Sequence, residues 1–273
     1  MSPETRDDLV GIARVLDEAE RTATSTRQLG AKLDIDHAYQ IQRQIRNLRE
    51  ERGEAYVGPK LGFTSESKMK QMGVSDIIVG FLTDAMAVND GGTLDLSEMV
   101  HPRIEPEIVF HLGEAVVPEP DETVERLAQR IHDATDKVAA GLEIIDSRYE
   151  DFKFSLSDVV ADNTSAARFV VGAWQDFPRE IDGLLAELII DGQVIESSTS
   201  SAILGNPVKA FAQLASMTLK YGFDLPADSV ILAGSMTAAN YLRPNMAIEA
   251  RVEGLHPATV TAVNSPTVIE VGR

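Results

Sequence analysis

Two glutamates separated by one residue stand out in the segment Arg103-Ile104-Glu105-Pro106-Glu107-Ile108-Val109-Phe110. Read as a strand, it turns Ile104, Pro106, Ile108, Phe110 and Leu112 to one face and both carboxylates to the other. Carboxylates one pleat apart repel each other unless a cation or a proton lies between them. On a solvated surface such a pair is ordinary. A third acid changes the balance, because Glu143 is embedded in the apolar run Gly141-Leu142-Glu143-Ile144-Ile145, where a lone carboxylate is costly. A hard cation such as Mg2+ or Mn2+, held by Glu105, Glu107 and Glu143 with water and substrate oxygens, answers both oddities. The competing reading pairs Glu143 with Arg103 or Arg148.

Other polar clusters are less decisive. Lys60, within Gly58-Pro59-Lys60-Leu61-Gly62-Phe63-Thr64-Ser65, is either a positive centre for an anionic substrate or a surface lysine on a turn; spacing alone favours the turn. Asp158 to Ser165 and Gly234 to Thr237 read as polar loops at strand ends, which line sites or simply turn the chain. Lys153, between Phe152 and Phe154, either reaches a site or decorates an edge strand. Ser197 to Ser201 reads as a loop without a nucleophile elbow. The histidines 37, 101, 111, 132 and 256 form no metal motif, although His111 shares the strand face of Glu107.

These residues need a scaffold. The chain has 273 residues, enough for one large domain or a domain with a small cap. Helical spacing joins Leu9, Ile12, Ala13, Leu16 and Ala19, and then Ala38, Ile41, Ile45 and Leu48, with Asp36 as N-cap and Gly53 past the end. From Tyr56 onward short β-like runs dominate, with a turn at Asn89-Asp90-Gly91-Gly92 and a hairpin at Asp191-Gly192. Helices are expected over 122–139 and from Asn206-Pro207 to Gly222, and strands over 230–232, 248–252 and 259–263. The pattern predicts an α+β chain: an N-terminal helical segment, 1–55, and a β-rich metal-binding catalytic domain, 56–273.

Composition narrows the function. Cysteine is absent, which excludes disulfides, thiolate metal sites and cysteine nucleophiles and accords with a cytoplasmic protein. With 43 acidic and 25 basic residues the net charge is −18, a field that repels nucleic acid. No apolar run reaches the roughly 20 residues of a membrane span, and Met1-Ser2-Pro3-Glu4 does not read as a secretory signal.

Several longer stretches are distinctive: KLGFTSESKMKQMGV, RIEPEIVF, EIIDSRYEDFKF, VVADNTSAARFVVG, SSAILGNPV and ILAGSMTAA. Together they resemble the 2-oxopent-4-enoate hydratase and 2-oxo-3-hexenedioate (4-oxalocrotonate) decarboxylase group of the fumarylacetoacetate hydrolase superfamily, over most of the chain. The resemblance implies a mixed β-roll or barrel-like domain, a homo-oligomer, and Mg2+ or Mn2+ on Glu105, Glu107 and Glu143. It makes Lys60 the catalytic lysine. Leu61, Thr64, Ser65, Lys153, Asp162, Asn163, Ser165, Ser235 and Thr237 become candidate substrate contacts. The implied activity is decarboxylation of a 2-oxo-3-enedioate through a metal-stabilised dienolate, in aromatic meta-cleavage catabolism. A partner hydratase is a further implied associate.

Within the group, hydratases carry an acid two positions before the glycine of a PDFG-like segment, whereas decarboxylases are apolar there. This chain has Ile78 before Gly80, with Asp76 two residues earlier. Ile78, DSRYEDFKF and the Met-Thr-Ala-Ala run favour the decarboxylase, with the hydratase as the alternative. The superfamily's C–C bond hydrolases resemble one another in a His–Glu pair. Asp36-His37-Ala38-Tyr39-Gln40 has glutamine where that glutamate would stand, which disfavours a hydrolase. A non-catalytic partner subunit would have no reason to keep the three glutamates and Lys60.

Overall fold

The structure is a computed structural model that describes residues 3–29, 33–64, 77–178 and 180–264; Ser65 and Asp76 lie outside these. Two helices open the chain, α1 (Pro3–Arg21) and α2 (Ile35–Glu51). Their apolar stripes, Leu9, Ala13 and Leu16 with Ala38, Ile41 and Ile45, bury against Ile78, Phe81 and Tyr149 of the β-rich part. Asp34, rather than Asp36, caps α2 and accepts the His37 N–H at 2.8 Å. Asp36 instead lies inside the first turn, where the helix dipole also favours an acid.

The strands follow as β1 (Tyr56–Gly62), β2 (Ile78–Thr83), β3 (Ala87–Val88), β4 (Gly92–Asp95) and β5 (Arg103–Leu112). After α3 (Val124–Ala134) come β6 (Thr135–Ile145), the short helix α4 (Leu156–Ala161), β7 (Ala166–Val171) and β8 (Gln175–Asp176). The hairpin β9 (Leu185–Ile190) and β10 (Gln193–Thr199) precedes α5 (Ala210–Tyr221), and β11 (Val230–Ser235), β12 (Asn240–Tyr241), β13 (Ala247–Val252) and β14 (Ala258–Val263) complete the described fold. The helix expected over 122–139 ends at Ala134, because Val138, Ala139 and Ala140 are all buried and no single helix face accounts for them. Likewise Ser197 to Thr199 continue a strand rather than a loop, paired with β9.

Among the described residues nine strands make one sheet, ordered β2-β1-β11-β5-β6-β7-β3, with β12 on β5 and β8 on β6; five make a second, β10-β9-β13-β14-β4. Ile104, Leu142, Ile144 and Val170 of the larger sheet pack on Leu188, Ile248, Ala250 and Val260 of the smaller. Further along the same strand, Ile108, Phe110 and Leu112 meet Leu127 and Ile131 of α3 and Phe211 and Leu214 of α5. One face of β5 is therefore spent on core, at about 1.5–3 kcal/mol for each large side chain buried. The other face is left for Glu105 and Glu107. This is an α+β architecture in which N-terminal helices lie against a curled mixed sheet.

β2 is the outermost strand on its side of the larger sheet among the described residues. Side chains seal its open edge. The Val79 N–H donates to Tyr39 Oη at 3.2 Å, and the Val79 carbonyl accepts from Gln42 Nε2 at 3.0 Å. Two residues on, the Phe81 N–H donates to Asn163 Oδ1 and the Phe81 carbonyl accepts from Asn163 Nδ2, each at 2.9 Å. Side-chain amides and a phenol thus stand in for a neighbouring strand.

Candidate metal centre

The β5–β6 register sets Glu105 directly opposite Glu143 and Glu107 opposite Gly141, while Ser235 of β11 faces Glu107 from the other side. A carboxylate oxygen from each of Glu105, Glu107 and Glu143 lies within 4.8 Å of the others, and all three residues are buried. Glu107 Oε2 accepts the Gly234 N–H at 2.9 Å, whereas Glu107 Oε1 has no hydrogen-bond partner among the described residues. Lys60 Nζ stands 2.9 Å from Glu143 Oε1; this is a contact of charge, since neither Glu143 oxygen has an aligned hydrogen bond among the described residues.

Burial pushes the Glu107 carboxyl well above the usual range, and the neighbouring Glu143 and Glu105 push it further. Lys60 and the Gly234 N–H offset only part of this. Burial raises Glu143 as well, against the pull of Lys60. Among the described residues the centre is short of positive charge, and Glu107 and Glu143 have orphaned, buried carboxylate oxygens. A divalent oxygen-loving cation would satisfy both needs, so the donor set fits such an ion. The local alternatives fall away: Glu143 pairs with neither Arg103 nor Arg148. Arg103 stacks between the rings of Phe152 and Tyr241, and Arg148 bonds to Asp162.

Lys60 is not on a surface turn. It lies mid-strand in β1, 3% exposed, between β2 and β11, and reaches the carboxylates from the same sheet face. Its ammonium also donates to the Thr164 carbonyl at 3.2 Å. That carbonyl belongs to a left-handed turn, with Asn163, Thr164 and Ser165 at φ of 48°, 52° and 57°. Consecutive non-glycine residues in this region cost about 1–2 kcal/mol each, so surrounding contacts must hold them there.

The remaining sequence candidates divide by position. Thr64 is buried beside Gly234, whose φ of +118° and missing Cβ let the Thr64 side chain approach while the Gly234 N–H reaches Glu107. Ser235 and Thr237 lie on the same segment, the Ser235 hydroxyl donating to the Thr237 carbonyl at 2.6 Å. Ser165 is buried, its hydroxyl without a partner among the described residues. Leu61 points the other way from Lys60, into the core shared with Ile108 and Phe110. Asp162 is taken up by Arg148, whose Nε and backbone N–H reach it at 2.5 and 3.0 Å. Burial pushes the Asp162 carboxyl up to about 7, against Arg148. Burial pulls the Arg148 guanidinium down, and Asp162, Glu20 and Asp146 more than offset it. A guanidinium does not deprotonate in proteins, so Arg148 stays charged beside Asp162. Lys153 is not brought to the centre; it is exposed and pairs with Asp151 at 3.1 Å. His111 pairs with Asp136 at 2.6 Å, apart from the carboxylate cluster.

Sequence reasoning missed Thr164, which contributes a backbone carbonyl, and the glycines Gly80 and Gly234. The available signal was a lone glycine within a strand, which marks a close approach of other atoms.

The architecture is the fold found in fumarylacetoacetate hydrolase family proteins. A fumarylacetoacetate hydrolase family protein from Yersinia pestis shares the fold at a TM-score of 0.58 and 9% identity, over 77% of this chain and 94% of that one. The 4-oxalocrotonate decarboxylase of Pseudomonas putida G7, solved with magnesium and adipate, superposes at a TM-score of 0.87 with 33% identity over 94% of this chain and 98% of its own. A 4-oxalocrotonate decarboxylase from a Pseudomonas species is 46% identical over 247 residues, 89% of this chain and 94% of the relative. A 2-keto-4-pentenoate hydratase from Burkholderia vietnamiensis is 34% identical over 262 residues, 93% of this chain and 97% of the relative. No protein-family model matches. The chain belongs to the family of 4-oxalocrotonate decarboxylases and 2-keto-4-pentenoate hydratases.

Proposed function

We propose that this chain decarboxylates a 2-oxo-3-enedioate, such as 2-oxo-3-hexenedioate, in the cytoplasmic breakdown of aromatic compounds, with Mg2+ or Mn2+ held by Glu105, Glu107 and Glu143. The observation that carries the reading is the buried carboxylate triad with Lys60 at its edge. Support comes from the 46% identical decarboxylase and from the relative solved with magnesium and a six-carbon dicarboxylate. When bound, the cation supplies a Lewis-acid sink for negative charge on a 2-keto oxygen.

The protein's own groups do the rest. An ammonium has three N–H donors; one goes to the Thr164 carbonyl, which leaves N–H capacity beside Glu143 for the substrate. As the bond to the remote carboxylate breaks, its electron pair moves through the conjugated double bond to the 2-keto oxygen, and carbon dioxide leaves. A buried N–H aimed at that oxygen stabilises the developing charge more than it would in water. The hydroxyls of Thr64 and Ser165, both buried residues, would orient the substrate. Ile78 shares the Lys60 face of the sheet, one pleat along β2 and packed over Gly62, so no carboxylate occupies that place to relay protons for hydration.

A paired assay with Mg2+ tests the reading. Carbon dioxide release from 2-oxo-3-hexenedioate, without consumption of 2-hydroxypenta-2,4-dienoate, is the expected result. Consumption of the dienol alone would make the chain a hydratase. Sizing chromatography, alone and mixed with a purified hydratase, tests the homo-oligomer and the partner complex.

A further inference from the structure

The Thr164 carbonyl touches the Lys60 ammonium only because an unfavourable turn is held in place by its neighbours on β2. Asn163 uses both ends of its side-chain amide on β2, accepting the Phe81 N–H and donating to the Phe81 carbonyl at 2.9 Å each. Only one amide orientation satisfies that pair. Next to Phe81 in β2 stands Gly80, which is the cross-strand partner of Lys60. A Cβ on Gly80 would overlap the Thr164 hydroxyl and come 2.9 Å from the Asn163 carbonyl oxygen. The turn therefore rests in a notch beside the lysine, clamped at one end by an amide and given room at the other by a missing side chain.

We propose that Asn163 and Gly80 are positioning residues for Lys60: they seat the 163–165 turn on β2 so that the Thr164 carbonyl fixes the ammonium against Glu143. Asn163 then acts through the lysine and not by touching substrate, since its amide is committed to the strand. The kinetic part rests on the proposed decarboxylase activity; the positioning itself does not.

Asn163→Gly tests the clamp, because glycine tolerates the left-handed φ of 48° and only the side-chain bonds are lost. Gly80→Ala tests the notch from the opposite side and covers the case in which Asn163→Gly fails to fold. Each is compared with the unaltered protein in three measurements. With 2-oxo-3-hexenedioate and Mg2+, kcat is expected to fall about tenfold or more with KM within about twofold, as for loss of one buried hydrogen bond. Calorimetric Mn2+ affinity stays within about threefold, because the three glutamates are untouched. Labelling of Lys60 by an amine-reactive ester, followed by mass spectrometry without substrate or metal, rises about tenfold as the ammonium is released. Unchanged labelling overturns the proposal whatever happens to turnover. A raised KM with unchanged kcat also overturns it and makes Asn163 a substrate contact. If the unaltered protein turns over no 2-oxo-3-enedioate, the proposed activity fails, and the labelling result still decides the positioning role.

Discussion

Metal binding at this centre is expected to expel protons, and the number can be counted. With all groups ionised, Glu105, Glu107, Glu143 and Lys60 carry a net charge of −2, in a space where all four are buried. Burial together with Glu143 and Glu105 leaves Glu107 protonated well above its ordinary 4.5. A cation must displace that proton. Each displaced proton makes the affinity climb about tenfold, or 1.4 kcal/mol, per pH unit below the raised pKa, and the climb flattens above it. Displacement from Glu143 as well would steepen the slope towards two decades. Calorimetry of Mn2+ binding in two buffers of different ionisation enthalpy reads the proton count directly. Glu107→Gln should abolish most of the slope, weaken binding and end metal-dependent turnover while the fold persists. The metal-free protein gives the mirror image. A carboxyl raised in the fold contributes stability that is fully present below 4.5 and lost as pH rises through the folded value. Saturating metal, worth about 2.7 kcal/mol at a hundred times Kd, should therefore raise Tm more at high pH than at low. Binding without proton release and with pH-independent affinity would refute the reasoning.

Three further outcomes are expected. Lys60→Met should lower turnover about 100-fold, as for loss of one preorganised donor, with metal affinity retained, checked by steady-state kinetics beside calorimetry; normal turnover would remove Lys60 from the reaction. Arg148→Met strands Asp162 in the interior and should cost about 3–5 kcal/mol in urea unfolding; a loss under about 1 kcal/mol would show that the pair is not ionised. Ile78→Asp places an acid on the Lys60 face and should slow decarboxylation while introducing some dienol hydration; unchanged rates with both substrates would dismiss Ile78 as the discriminator.

Much of the centre was legible because strand alternation is local. Glu105 and Glu107 share a face by arithmetic, and Glu143 betrays itself by its apolar neighbours. Lys60 was not legible from its surroundings. Glycine and proline beside a lysine look like a turn, and what buries it is pairing with β2 on one side and with β11, far along the chain, on the other. Only the family resemblance singled it out. Thr164 left no trace, since a carbonyl has no side-chain signature and the positive φ values fall on Asn, Thr and Ser rather than glycine. Lys153 shows the opposite case: its place between Phe152 and Phe154 left a site role and a surface role both open, and its side chain turns outward to Asp151. In the fold, the helix over 122–139 overran because an apolar stretch buried on both faces looks helical until its sheet partners are known.

The sealed edge of β2 bears on how this chain avoids templating its own aggregation. Tyr39 and Gln42 of α2 occupy the hydrogen-bonding groups of Val79 that a foreign strand would otherwise claim. A fragment beginning near Tyr56 would keep the carboxylates and the lysine but expose that stretch of backbone beside Ile78 and Phe81, both buried in the whole chain. A bare, apolar sheet margin recruits further copies into ribbons. The opening helices thus keep the larger sheet finite, and a truncated chain would lose its solubility while every metal-binding side chain was still in place.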